Sequence, residues 1–229
     1  MTQNQPHNEC FVPFGPLVYK GDVTGDFLDF LNKHLDSVRL DTTEVRDKLV
    51  CNIEAQKAAP YPQREFMQFV KPHVHNYLKG CYEREVATDR CIKDGKNSDR
   101  FLDPDNHKLS FNLGDGPWVN FSAMNEFNPI HNHNGIISAV LFIDIPEALK
   151  EERDTNGFIA ETVGCLDIVH AQQHAVIHPK TGNLYMFPAY LWHLVYPYHS
   201  DIERISMSFN LTEVRFDDMI MEGGLVNYH

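Results

Sequence analysis

Two histidines one residue apart, His131 and His133, lie near the middle of the stretch WVNFSAMNEFNPIHNHNGIISAVLFIDIP, Trp118 to Pro146. Side chains repeat every two positions along an extended strand, so both imidazoles project from one face. A pair of neutral imidazoles aimed that way ligates a divalent transition metal such as Fe, Zn, Ni or Cu. Further on, His193 stands alone in the strand-like run AYLWHLVYP, and Arg204 follows eleven residues later. Arg204 opens a clear alternation: Arg204, Ser206, Ser208 and Asn210 on one face, Ile205, Met207, Phe209 and Leu211 on the other. An arginine heading a polar strand face in a chain of formal net charge -12 suggests a buried anion partner. Read alone, the same alternation also describes a sheet with one solvated face.

Several elements must position these groups. Trp118, Val119, Phe121 and Phe127 mark a strand before the histidine pair. Ile136 to Ile145 is an apolar, β-branched run entered through Asn134-Gly135, which predicts a hairpin with the metal pair at its mouth. Residues 8–22 read as an opening edge strand interrupted by Pro13 and Pro16. Thr24 caps a helix carrying Phe27, Phe30, Leu31 and Leu35. Residues 39–62 read as loop, Arg64 to Glu85 as a second amphipathic helix, and Thr88 to Gly116 as surface connection. On that second helix His73 and His75 form another HxH, but residues two apart on a helix point about 200° away from each other. The expectation there is a packed His73 and a solvated His75. A strand is expected at Phe158 to Val163, and His170, His174 and His178 are expected on a strand-turn-strand excursion without a metal role.

Composition narrows the field. The 229 residues, 42% hydrophobic and 11% aromatic, suit one folded domain with a substantial core. No apolar run reaches the roughly 18 residues of a membrane span, and the polar start MTQNQPHNEC does not read as a signal peptide. The cysteines at 10, 51, 81, 91 and 165 are odd in number and lack CxxC spacing, which predicts reduced thiols and a cytoplasmic setting. The acidic balance argues against broad binding to nucleic-acid phosphates, which needs a basic face.

Taken in order, the pieces W-x-N at Trp118 to Asn120, FNPIHNHNG at Phe127 to Gly135, GNLYMFPAYLWH at Gly182 to His193 and ERISMSFN at Glu203 to Asn210 resemble the iron(II)/2-oxoglutarate oxygenases. More closely the chain resembles the 2OG-Fe(II) oxygenase branch common in tailed phages, and its own FVPFGPLVY near the N-terminus resembles that branch's opening. It covers roughly residues 115 to 212 well and the N-terminal half loosely. The resemblance implies an α+β, mainly β fold: a double-stranded β-helix, jelly-roll or cupin-like, with flanking N-terminal helices. It implies a single oxygenase domain over 1–229, with supporting strand and helices in 1–115, the β-helix core in 116–215 and a tail in 216–229. It implies Fe(II), 2-oxoglutarate and dioxygen, with His131, His133 and His193 on the metal and Arg204 on the far carboxylate of the cosubstrate. Ser206 would add a hydroxyl on that strand face, and Asn120 and Ser122 are weaker candidates for the cosubstrate's other end.

Most of that superfamily carries a carboxylate where His133 stands, although HxH is usual in the phage-associated branch. Three neutral ligands leave the metal one positive charge higher, favouring an anionic cosubstrate while losing a charged anchor. Two other arrangements stay open: His131 and His193 alone with His133 hydrogen-bonded behind them, or a shifted register with Gly135 in the carboxylate's place. The expected activity is hydroxylation of an unknown substrate, with prolyl, aspartyl or asparaginyl side chains leading by resemblance. In a virus the setting would be the host cytoplasm. A noncatalytic cupin-like metal- or ligand-binding module is the alternative from another class, and a three-histidine dioxygenase without a 2-oxo acid leaves Arg204 unexplained. Residues 147–180 lie between the metal motifs and are long enough to cover the site. The sequence does not indicate an oligomeric state.

Overall fold

A computed structural model describes residues 8–11, 15–40, 52–91, 102–114, 116–156 and 161–221. Thirteen strands and three helices are present among them. The large sheet runs in the order β1 (Asn8–Phe11), β2 (Val18–Asp22), β10 (Asn183–Pro188), β7 (Ile137–Asp144), β12 (Arg204–Phe216), β5 (Trp118–Ser122), β3 (Ala55–Ala58). Two more strands, β4 (Leu109–Leu113) and β13 (Met219–Met221), pair with the far half of β12. The small sheet runs β6 (Asn128–His131), β11 (Trp192–Val195), β8 (Leu166–His170), β9 (Gln173–Ile177). Facing antiparallel sheets linked in this order make a double-stranded β-helix, the mainly β fold expected.

Alternation along the strands builds two cores. From β7, Ala139, Leu141 and Ile143 join the core under the helices, while Val140 and Phe142 join the core between the sheets. That strand is therefore covered on both faces, which is why it reads as a continuous apolar run. On β12, Ile205, Met207, Phe209 and Leu211 pack into the helix-side core with Phe27 and Leu31 of α1 (Gly25–Leu40) and Phe66 and Val70 of α2 (Gln63–Cys91). The opposite face of β12 is left polar and points between the sheets. Thr24 accepts the Phe27 amide at its hydroxyl, 3.3 Å away, and so caps α1 as expected.

Several expectations need correction. The segment 8–22 is two strands paired with each other, and only β1 lies at the edge. The stretch 39–62 contains β3, and 88–116 contains β4; both join the large sheet. Of the strand expected at Phe158 to Val163, residues 157–160 lie outside the described set and 161–164 form a turn; the strand begins at Leu166. The segment 147–180 is built from α3 (Glu147–Asn156) and the β8–β9 hairpin, so much of it is wall of the small sheet. His73 is buried with its Nδ1 2.7 Å from the Tyr19 hydroxyl, and His75 is half-exposed beside Asp105, as anticipated.

Asn134-Gly135 does not close a hairpin. β6 pairs with β11 in the small sheet, whereas β7 pairs with β10 and β12 in the large one. The turn carries the chain from one sheet to the other, and local turn chemistry cannot tell these two outcomes apart. Gly135 sits at φ 140°, and a Cβ there would stand 3.0 Å from the Leu211 carbonyl oxygen. That carbonyl accepts the Ile136 amide at 2.8 Å, which pins the crossover. Gly135→Ala should therefore destabilise the protein by about 1–3 kcal/mol, read as a lowered midpoint in urea; an unchanged midpoint would show that the crossover tolerates a side chain.

Candidate functional site

His131 ends β6 and His193 lies on β11, and the two are direct partners across the antiparallel pair. Their rings are 4.3 Å apart between centroids. His133 lies beyond the end of β6, held by its amide donating to the Ala189 carbonyl at 2.9 Å. Its ring centroid is 4.9 Å from that of His131 and 5.1 Å from that of His193. One ligand atom from each of the three lies within 4.8 Å of the others, and no further group of this kind occurs among the described residues. The convergence expected for HxH holds, although a crossover, not strand pleat, turns His133 inward.

The tautomers follow from the partners. The Nδ1 of His131 is 2.7 Å from the Pro129 carbonyl oxygen, and that of His193 is 3.0 Å from the Leu191 carbonyl oxygen. A carbonyl only accepts, so each Nδ1 carries the proton and each Nε2 keeps a bare lone pair. Burial pulls all three imidazoles below their ordinary value, His133 to about 4 and His193 to about 3. At neutral pH the cluster is uncharged and ready to ligate.

The polar face of β12 extends away from the histidines. Trp118 pairs with Ser208 and packs its ring on His133 at 5.9 Å, so the histidines sit near the Ser208 level. Arg204 lies four residues deeper on the strand, about 13 Å at ~3.3 Å per residue. Arg204 is 2% exposed, and its Nη1 donates to the Gly164 carbonyl at 2.9 Å. Its Nε is buried with no hydrogen-bond partner among the described residues. Desolvation pulls the guanidinium down to about 10, against the opposing pull of Tyr198 and Cys165; it stays charged at neutral pH. No carboxylate forms an ion pair with it among the described residues.

Ser206 and Asn120, register partners, line the same chamber as Arg204 and the three histidines. Ser122 does not. It pairs with Arg204 at the deep end, its hydroxyl is buried without a partner among the described residues, and its carbonyl accepts the Tyr198 hydroxyl. The chamber also takes in Gln56, Asn128, Ser138 and Asn210, with the Ser138 hydroxyl donating to Asn210 Oδ1 at 2.8 Å. Asn210 was visible on the alternating face; Gln56 and Asn128 carried no periodic signal. The space enclosed is about 30 Å³, room for roughly one water.

The surface histidines fall elsewhere. His170 and His174 flank the β8–β9 turn, and His174 Nδ1 lies 2.9 Å from Asp167 Oδ2, with no metal grouping. Among the described residues Cys10, Cys81 and Cys165 are free thiols.

Residues 116–210, which carry His131, His133, His193 and Arg204, match the family model described as "Putative 2OG-Fe(II) oxygenase". Over this segment the chain is similar to the iron(II)/2-oxoglutarate oxygenases. Solved structures similar to this chain include a prolyl-4-hydroxylase from Pseudomonas putida, 15% identical with a TM-score of 0.44, covering 85% of this chain and 91% of that one. A prolyl hydroxylase from Trichoplax adhaerens, in complex with a hypoxia inducible factor oxygen degradation domain peptide fragment, is 13% identical with a TM-score of 0.45, covering 84% and 76%. A 2OG-Fe(II) oxygenase family oxidoreductase from Burkholderia pseudomallei is 10% identical with a TM-score of 0.40, covering 92% and 74%. No curated protein matches the chain in sequence.

The buried imidazoles make the metal-free fold sensitive to acid. Each folded-state value lies below the ordinary 6.5, so the unfolded chain takes up protons first. Stability should be full above pH 6.5, fall as pH drops below it, and stop falling from this cause below about 4 for His133 and about 3 for His193. Thermal unfolding of metal-free protein between pH 7.5 and 4.5 checks this: His193→Asn should flatten the slope, and an identical slope would contradict it.

Proposed function

We propose that this oxygenase hydroxylates a protein side chain, holding Fe(II) on His131, His133 and His193 and the far carboxylate of 2-oxoglutarate on Arg204. The observation that carries this reading is a buried guanidinium without an acid, facing into the same chamber as three neutral imidazoles. A structural metal site has no use for an uncompensated buried cation, which costs several kcal/mol to desolvate. Supplied with a dicarboxylate, the cost is offset by a charge-assisted, two-pronged contact.

When bound, the iron and cosubstrate supply oxidative decarboxylation to succinate, with one oxygen atom of O2 going to succinate and the other to the substrate C–H bond. The chain's own part is binding and exclusion. Pro129 and Leu191 carbonyls hold the His131 and His193 rings by Nδ1, leaving Nε2 toward the metal. Val140, Leu166 and Val195 wall the chamber with apolar surface, keeping bulk water from the reacting atoms. Ser206 and Asn120 offer neutral polar contacts between the metal and Arg204. Ser122 is not part of this arrangement.

A protein acceptor is favoured over a nucleic acid by the formal charge of -12. The HxH pattern and the flanking motifs support the phage-associated branch, and hence the cytoplasm of a host. No described helix is long and apolar enough to cross a membrane. The pairing of β2 with β10 supports one oxygenase domain spanning both halves of the chain. One observation favours a noncatalytic metal-binding module instead: the enclosed volume of about 30 Å³ is small for a diacid.

Anaerobic addition of Fe(II) and 2-oxoglutarate distinguishes the two. The oxygenase reading expects a weak visible charge-transfer band, and succinate once air is admitted; neither would appear with a binding module. Arg204→Met should weaken 2-oxoglutarate at least tenfold while leaving metal affinity within about twofold, whereas His133→Ala should lower metal affinity. Unchanged metal binding and turnover in His133→Ala would leave His131 and His193 as the protein ligands.

A further inference from the structure

Gln56 comes from β3, a four-residue strand at the end of the large sheet, yet its side chain is 1% exposed and reaches the chamber. Burying a carboxamide is unfavourable unless it is hydrogen-bonded, so a polar residue here calls for a partner. Gln56 Nε2 donates to Asn120 Oδ1 at 2.8 Å, from the register position directly opposite. Asn120 is itself 3% exposed. With its oxygen taken, Asn120 turns Nδ2 toward Ser206, whose Oγ is 3.5 Å away, the outer limit of a hydrogen bond. One strong contact therefore fixes the rotation of the Asn120 amide, and its donor end is left only weakly engaged.

We propose that Gln56 is a positioning residue for the cosubstrate: it locks the Asn120 carboxamide with N–H toward the chamber, where it donates to an oxygen of 2-oxoglutarate. The inference rests on the oxygenase reading above. Its physical basis is the asymmetry of a carboxamide. Turned over, Asn120 would present carbonyl lone pairs to a dianion, replacing an attraction by a repulsion in a water-poor site. Arg204 on β12 and the Asn120 amide on β5 then offer donors from adjacent strands, and among the described residues the chamber lining contains no Asp or Glu. Gln56 touches neither metal nor cosubstrate in this arrangement; it acts through Asn120.

The test is a double-substitution cycle read by calorimetric binding of 2-oxoglutarate to Mn(II)-loaded protein. Gln56→Met keeps the length and removes the donor; it should weaken 2-oxoglutarate about tenfold, with Mn(II) affinity and the unfolding midpoint little changed. Asn120→Ala should weaken it comparably, and adding Gln56→Met to Asn120→Ala should cost nothing more. Equal affinity in Gln56→Met and wild type, or losses that multiply in the double variant, would overturn the assignment. Should Gln56→Met not fold, Gln56→Glu decides. Its carboxylate must accept from Asn120 and reverse the amide, so its penalty should be larger with Asn120 present than in the Asn120→Ala background, where only the charge acts. Equal penalties would overturn the proposal. Failure of the wild-type Mn(II) protein to bind 2-oxoglutarate would instead count against the oxygenase reading, and with it this one.

Discussion

A positive charge buried without an acid beside it is the constraint on which the rest of this structure depends. Arg204 makes one hydrogen bond to a backbone carbonyl and leaves its Nε unpaired among the described residues. A protein optimised for stability alone would place an apolar side chain there. The guanidinium is kept by two sheets that close around it, and by the turn at 161–164, whose Gly164 carbonyl accepts its proton. Gly164 is anchored in turn by its amide to the Pro197 carbonyl at 3.1 Å, and Arg153 holds the Val163 carbonyl at 3.1 Å. The turn under Arg204 is thus tied to α3 and to the segment after β11.

The division of labour between the sheets follows from this. The large sheet carries the polar row of β12 together with Asn120 and Gln56, while the small sheet carries His131 and His193 on paired strands. Neither sheet alone contains a site. The crossover at His133 to Ile136, stitched to Ala189 and Leu211, is what sets one against the other. A rigid scaffold holding a few converging groups fits chemistry that needs orientation more than bulk acid or base.

Much of this was legible in the chain itself. The polar-apolar alternation of β12 identified its two faces, because each is buried against a different partner. His73 and His75 diverge as period 3.6 requires, while His131, His133 and His193 converge with His133 turned inward by the crossover beyond β6 and not by strand pleat. What escaped was structure without local pattern. β3 reads AQKA, four residues with no apolar alternation, and its existence depends on β5 being there to pair with. α3 reads EALKEERDTN with Leu149 its one buried apolar residue, too little for a helical stripe. The Asn-Gly turn was recognisable, but whether it closes a hairpin or changes sheets is decided by which strands lie opposite, a tertiary fact. Ser122 shares the face by period two and pairs with Arg204, but whether a side chain at that depth lines the chamber is a tertiary fact as well.

The most direct measurement is a crystal structure of the protein with Mn(II) and 2-oxoglutarate, prepared without oxygen. The account predicts one metal bonded by His131, His133 and His193, and a dicarboxylate running from it to a carboxylate contact on Arg204. A metal bound away from that cluster, or a diacid that leaves Arg204 facing only protein, would contradict it.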